Sequence, residues 1–162
     1  MKRQLYVGKN KPSQSQMNSV KNDTSWFNEF KKPKGGFWTS TIKVVADYKI
    51  TSEWIEYRQN SNWLIKEDEN IYELEVAPNA NVYTIKSKKD FENLKTNYSL
   101  DANTKSDINI DFEKLQSDGY SGLRVTRNTY TLLNGWDCES TLWFKWCFTN
   151  VQKIPKKDCE IY

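Results

Sequence analysis

A chain of 162 residues, 37% hydrophobic and 28% charged, is long enough to bury one core without disulfide or metal staples, which points to a single domain over 1–162. Its 24 basic and 21 acidic residues leave a net charge of only +3, so charge alone demands no polyanionic partner. With no histidine in the chain, Ser-His-Asp and Cys-His nucleophile systems, His-ligated catalytic zinc and His general bases are excluded.

Cys138, Cys147 and Cys159 form an odd set without CxxC spacing, so neither a disulfide framework nor a thiolate metal site is expected. No apolar run approaches the ~20 residues of a membrane span and the N-terminus is polar. Together these lead to the expectation of a cytoplasmic protein with no metal and no membrane contact. Aromatic residues make up 14% of the chain, with 7 Trp and 9 Tyr. Such rings pack cores or stack on nucleobases or a nicotinamide, and core packing is expected for most of them. The clusters Lys31-Lys32-Pro33-Lys34, Lys86 to Lys89 and Lys153 to Lys157 read as solvated faces, with phosphate contact as the lesser alternative.

In chain order, Leu5 to Val7 is a strand ended by Gly8, and residues 9–22 are a polar loop. Thr24 or Ser25 caps a brief turn through Trp26, Phe27 and Phe30, stopped by Pro33 and Gly35-Gly36. A strand from Phe37 to Ile42 follows, then a helix from Glu53 to Gln59 capped by Ser52, with Trp54, Ile55 and Tyr57 as its apolar face. Ile71 to Val76 and Asn81 to Ile85 are strands joined by a turn at Pro78-Asn79. Ser87 and Asp90 open a helix that presents Phe91, Leu94 and Tyr98. Asp111 to Leu115 is a short helix, and Gly122 to Thr126, Thr141 to Phe148 and Val151 to Ile154 are strands. Interleaved short strands and helices without βαβ spacing indicate α+β, and no GxGxxG or Walker loop is present.

The segment Gly135-Trp136-Asp137-Cys138-Glu139 leads into the clearest strand pattern. In extended chain Asp137 and Glu139 project the same way, which puts a carboxylate pair on the rim of a hydrophobic sheet. Thr141, Trp143, Lys145 and Cys147 then alternate with Leu142, Phe144, Trp146 and Phe148. Cys138 and Cys147 are expected as small buried hydrophobes.

Three stretches in this order, Leu5-Tyr6-Val7-Gly8, Phe37-Trp38-Thr39-Ser40-Thr41 and Asp137-Cys138-Glu139, together resemble the ADP-ribosyltransferase fold. The resemblance implies two packed, mostly antiparallel β-sheets flanked by short helices, with NAD as substrate in a cleft between them and no metal. It implies transfer of ADP-ribose to a macromolecular acceptor, protein or nucleic acid, in a toxin, defence or regulatory role, with NAD hydrolysis as a close variant. Glu139 would stabilise the oxocarbenium-like ribose, Ser40 would orient Glu139, and Asp137 would align or activate the acceptor. Tyr6, Gly8, Trp38, Thr39, Trp54 and Arg127 would border the dinucleotide. Where the family carries Arg or His in its first strand this chain has Val7, which leaves Arg3, Lys9 or Arg127 for the phosphate contact. A non-catalytic inhibitor or a nucleic-acid- or protein-binding module, using Trp38, Trp54, Tyr6 and Arg127 as an aromatic-basic surface, is the competing expectation.

Overall fold

The computed structural model describes residues 3–23, 25, 32–101 and 108–161. The turn expected through Trp26, Phe27 and Phe30 lies outside them. Among the described residues nine strands alternate irregularly with three short helices: β1 (Arg3–Gly8), β2 (Phe37–Thr41), β3 (Lys43–Val44), β4 (Ile50–Thr51), α1 (Glu53–Asn60), β5 (Asn70–Val76), β6 (Val82–Ile85), α2 (Lys88–Tyr98), α3 (Phe112–Ser117), β7 (Gly122–Val125), β8 (Ser140–Trp143) and β9 (Phe148–Ile154). The class is α+β. Seven strands form one sheet in the order β6-β7-β8-β2-β1-β5-β9, and β3 with β4 makes a separate ribbon. All neighbours in the large sheet are antiparallel except β6 and β7.

Where two packed sheets were expected, the strands join into one order, but through a narrow seam. β1 pairs with β5 along its whole length, Arg3 to Gly8. It pairs with β2 only at Gln4↔Thr41 and Leu5↔Ser40, while Phe37, Trp38 and Thr39 of β2 pair with β8. Past the seam, Tyr6 and Val7 part from Thr39 and Trp38, and the sheet divides into a β1-β5-β9 block and a β2-β8-β7-β6 block.

Each block buries one face under helix. Phe112 and Leu115 of α3 and Leu94 of α2 pack on Ile85, Leu123, Val125 and Leu142. Ile55 of α1 packs with Leu5, Ile71, Ile154 and Ile50. A third cluster, Tyr72, Leu74, Trp143 and Phe148 with Tyr6 and Phe37 against it, joins both blocks. Its rings meet edge-on or tilted, Trp143 to Phe148 at 4.8 Å and Tyr6 to Phe37 at 4.9 Å, which favours the quadrupoles of both partners.

Local chemistry accounts for the helix starts. The Ser52 and Ser87 hydroxyls accept from the backbone N–H groups of Ile55 and Asp90, and the Asp90 carboxylate accepts from Lys86 N–H and Ser87 Oγ–H in return. In α1, Ile55 is buried as expected, while Trp54 and Tyr57 are only half-buried and Arg58 is buried in their place. The last long strand divides: β8 ends at Trp143, the chain bends through Phe144 to Cys147, and β9 starts at Phe148. The division lets Leu142 and Phe144 serve one core and Trp143 and Phe148 another.

Candidate functional site

The parting of β1 from β2 leaves a cleft of about 330 Å³. Leu5, Tyr6 and Val7 supply one wall, Trp38 and Thr39 the other, and Trp54 of α1 closes one side. Gly135, Trp136, Asp137 and Cys138 before β8, Ser140 at its start and Lys32 complete the lining. The volume lies at the small end of ligand sites, roughly 300–1,000 Å³, and the lining is mainly aromatic and aliphatic with few polar groups, as such sites usually are. Trp38 meets Trp136 edge-on at 4.8 Å, and the Lys32 ammonium lies 5.5 Å from the Trp38 ring centroid.

Five of the nine expected site residues, Tyr6, Trp38, Thr39, Trp54 and Asp137, line this one cleft. Gly8, Ser40, Arg127 and Glu139 do not. The Tyr6 ring folds over Gly8, so a Cβ there would collide with it. Arg127 is exposed and reaches toward Glu53 at 3.5 Å. Of the cations considered for a phosphate, Arg3 pairs with Glu73 and Lys9 with Asp68. Lys32, read from sequence as part of a solvated face, is the cation that lines the cleft among the described residues. Val7 is an apolar wall, and Trp136, a core residue only 4% exposed, also borders the cleft.

The two carboxylates take opposite roles. β8 starts at Ser140, one residue after the pair, and Cys138-Glu139 is a bend, so the extended alternation expected to project both carboxylates the same way is lost. Asp137 is exposed in the cleft and makes no hydrogen bond or ion pair among the described residues. Glu139 is only 4% exposed. Its Oε2 accepts from Ser40 Oγ and Thr41 N, both at 2.9 Å. Its Oε1 accepts from Thr41 Oγ1 at 2.6 Å and Arg124 Nε at 2.9 Å. Four donors match the roughly four acceptor sites of a carboxylate, which is what a charge withdrawn from water requires.

A buried chain of hydrogen bonds continues from Glu139 across the seam. Gln4 Nε2 donates to Thr41 Oγ1 at 3.2 Å, Thr39 Oγ1 donates to Gln4 Oε1 at 2.7 Å, and Trp143 Nε1 donates to Thr39 Oγ1 at 2.8 Å. Each hydroxyl gives its proton once and accepts once, so the network has one consistent polarity from Trp143 to Glu139. Polar bonds thus clamp the two blocks where only two residue pairs of β1 and β2 join them. Thr39 of the cleft wall is part of the clamp.

Burial raises the Tyr6 hydroxyl pKa, with Tyr72 and Glu69 adding to it. Burial, then the negative charges of Glu139, Glu53 and Asp137, pushes the Cys138 thiol up to about 12, which keeps it a thiol and no nucleophile. Among the described residues no group of three or more His, Cys, Asp or Glu is arranged to hold a metal, and no helix is long and apolar enough to cross a membrane. Comparisons with protein-family models, curated proteins and solved structures returned no match.

Proposed function

We propose that the cleft binds NAD and that the protein is an ADP-ribosyltransferase acting on a macromolecular acceptor, protein or nucleic acid. The observation that carries this reading is the parting of β1 from β2 into a tryptophan-lined cleft beside the Ser40–Glu139 hydrogen bond. Trp38 and Trp54, both half-buried, offer ring faces and edges to a nicotinamide. The bond from C1′ of the ribose to the nicotinamide nitrogen breaks with its electron pair leaving on the ring, and the acceptor's nucleophile then bonds to C1′. Asp137, the carboxylate open to the cleft, takes the proton the acceptor loses. Glu139 lies between two lining residues, Cys138 and Ser140. It meets the ribose when a ribose hydroxyl replaces one of its four donors, the Ser40 hydroxyl being the one with a second acceptor within reach, the Glu139 main-chain oxygen at 2.9 Å.

A second reading is favoured by that same saturation. If Glu139 never releases a donor, it is a structural anion balanced by Arg124, and the cleft belongs to a non-catalytic binding module. Titration calorimetry with NAD separates these from a protein with no such site: wild type binds NAD and Trp38→Ala weakens it at unchanged melting temperature. A wild-type protein that does not bind NAD removes the enzyme reading.

A further inference from the structure

The cleft is small for a dinucleotide, which carries two ring-bearing halves, so one half must lie outside it. One surface of matching chemistry adjoins it. The Trp54 ring, which lines the cleft, stacks at 5.8 Å and 20° on Tyr57 and stands at 85° to Trp63, with centroids 5.3 Å apart. Trp63 is 48% exposed and its neighbour Leu64 56%, among the few large apolar side chains left to solvent.

This exposure is held rigidly. Arg58 is 2% exposed and its guanidinium lies 4.5 Å from the Trp63 ring centroid. Arg58 Nε donates to the Trp63 carbonyl and Nη2 to the Leu64 carbonyl, both at 3.0 Å. The two terminal nitrogens also grip Glu69 at 3.1 and 2.8 Å. A buried, bidentate ion pair thus fixes the backbone of a loop whose tip shows an indole to water. A loop so anchored presents the ring without an ordering cost on binding.

We propose that Trp63, with Trp54 and Tyr57 beside it, is a second ring subsite that stacks the adenine of the NAD whose nicotinamide half enters the cleft. This rests on the NAD reading above. The cation under one side of the indole and the perpendicular Trp54 leave the exposed side for a planar base, and base-on-aromatic stacking tolerates any purine.

The test compares NAD with nicotinamide mononucleotide, which lacks the adenosine half, by titration calorimetry on wild type, Trp63→Ala and Trp63→Phe. Trp63→Ala should weaken NAD by about 10-fold or more, the usual scale of one base stack, and leave the mononucleotide unchanged, with Trp63→Phe recovering most of the loss. Wild type that binds NAD while Trp63→Ala binds it equally well overturns the subsite and spares the NAD reading. So does an equal loss for both ligands, which marks Trp63 as support for the cleft. Wild type that binds neither ligand removes the NAD reading and the subsite with it.

Discussion

The Ser40 hydroxyl lies 2.9 Å from both the main-chain oxygen and Oε2 of Glu139, across 99 residues of chain. It ties the segment before β8 to β2 at the seam where the sheet divides. The same carboxylate pairs with Arg124 of β7, so one side chain fastens β2 and β7 to the segment that leads into β8.

That fastening has a measurable stability signature. Arg124→Met leaves a buried carboxylate without its cation, and Glu139→Gln turns an acceptor into a donor facing donors. Each should cost about 3 kcal/mol, the lower end for a broken buried pair because Arg124 keeps some solvent contact. In melting temperature that is roughly 10 °C for a chain of this size. The double variant should lose less than the sum, and urea unfolding of all four proteins reads the coupling. Additive losses would mean that the pair is not an energetic unit.

Acid should loosen the Arg58 anchor. The hydrogen bond from Arg58 is the largest cause holding the Glu69 pKa below its ordinary value, with the Lys66 N–H also donating to it. A carboxylate with a depressed folded pKa contributes stability that is present above its unfolded pKa, about 4.3, and lost as pH falls through the folded one. Wild-type urea midpoints should therefore fall below about pH 5, and Glu69→Gln, though less stable throughout, should fall less steeply. Parallel slopes would show that Glu69 titrates alike in both states.

Cysteine chemistry should be silent in the folded protein. All three thiols are buried, and burial first, then Asp158, pushes Cys159 up to about 11, as burial and nearby carboxylates push Cys138 to about 12. At pH 8 an aromatic disulfide reagent should titrate no thiol until denaturant is added. Rapid labelling of Cys138 in the native state would mean that the cleft opens more widely than its walls show.

What the sequence discloses tracks the range of the interaction. Ser52, Ser87 and Asp90 act within four residues, so their caps were legible. Tyr6, Trp38 and Asp137 meet in one cleft because strand order carries the three motifs into one place. Lys32 was not legible, because a lysine in a charged run looks the same whether it faces water or a cleft. Nor was the saturation of Glu139, whose donors are Arg124, 15 residues away, and Ser40 and Thr41, 99 and 98 away. The parallel pairing of β6 with β7 was equally hidden, since alternation marks a strand's faces and not its neighbour.

In the proposed reaction Asp137 acts on the acceptor and not on NAD cleavage. Its exposed carboxylate holds nothing together among the described residues, so Asp137→Asn should melt within about 1 °C of wild type, as surface substitutions do. It should lower ADP-ribose transfer about 100-fold or more, the usual contribution of a general base. Unchanged transfer would remove Asp137 from the reaction.

The most direct test is nicotinamide release from NAD by the purified protein, with and without cell lysate, in wild type and in Glu139→Gln held well below its melting temperature. The account predicts release by wild type that rises with lysate and is lost in the folded Glu139→Gln protein. No release by wild type, or full release by folded Glu139→Gln, would contradict it.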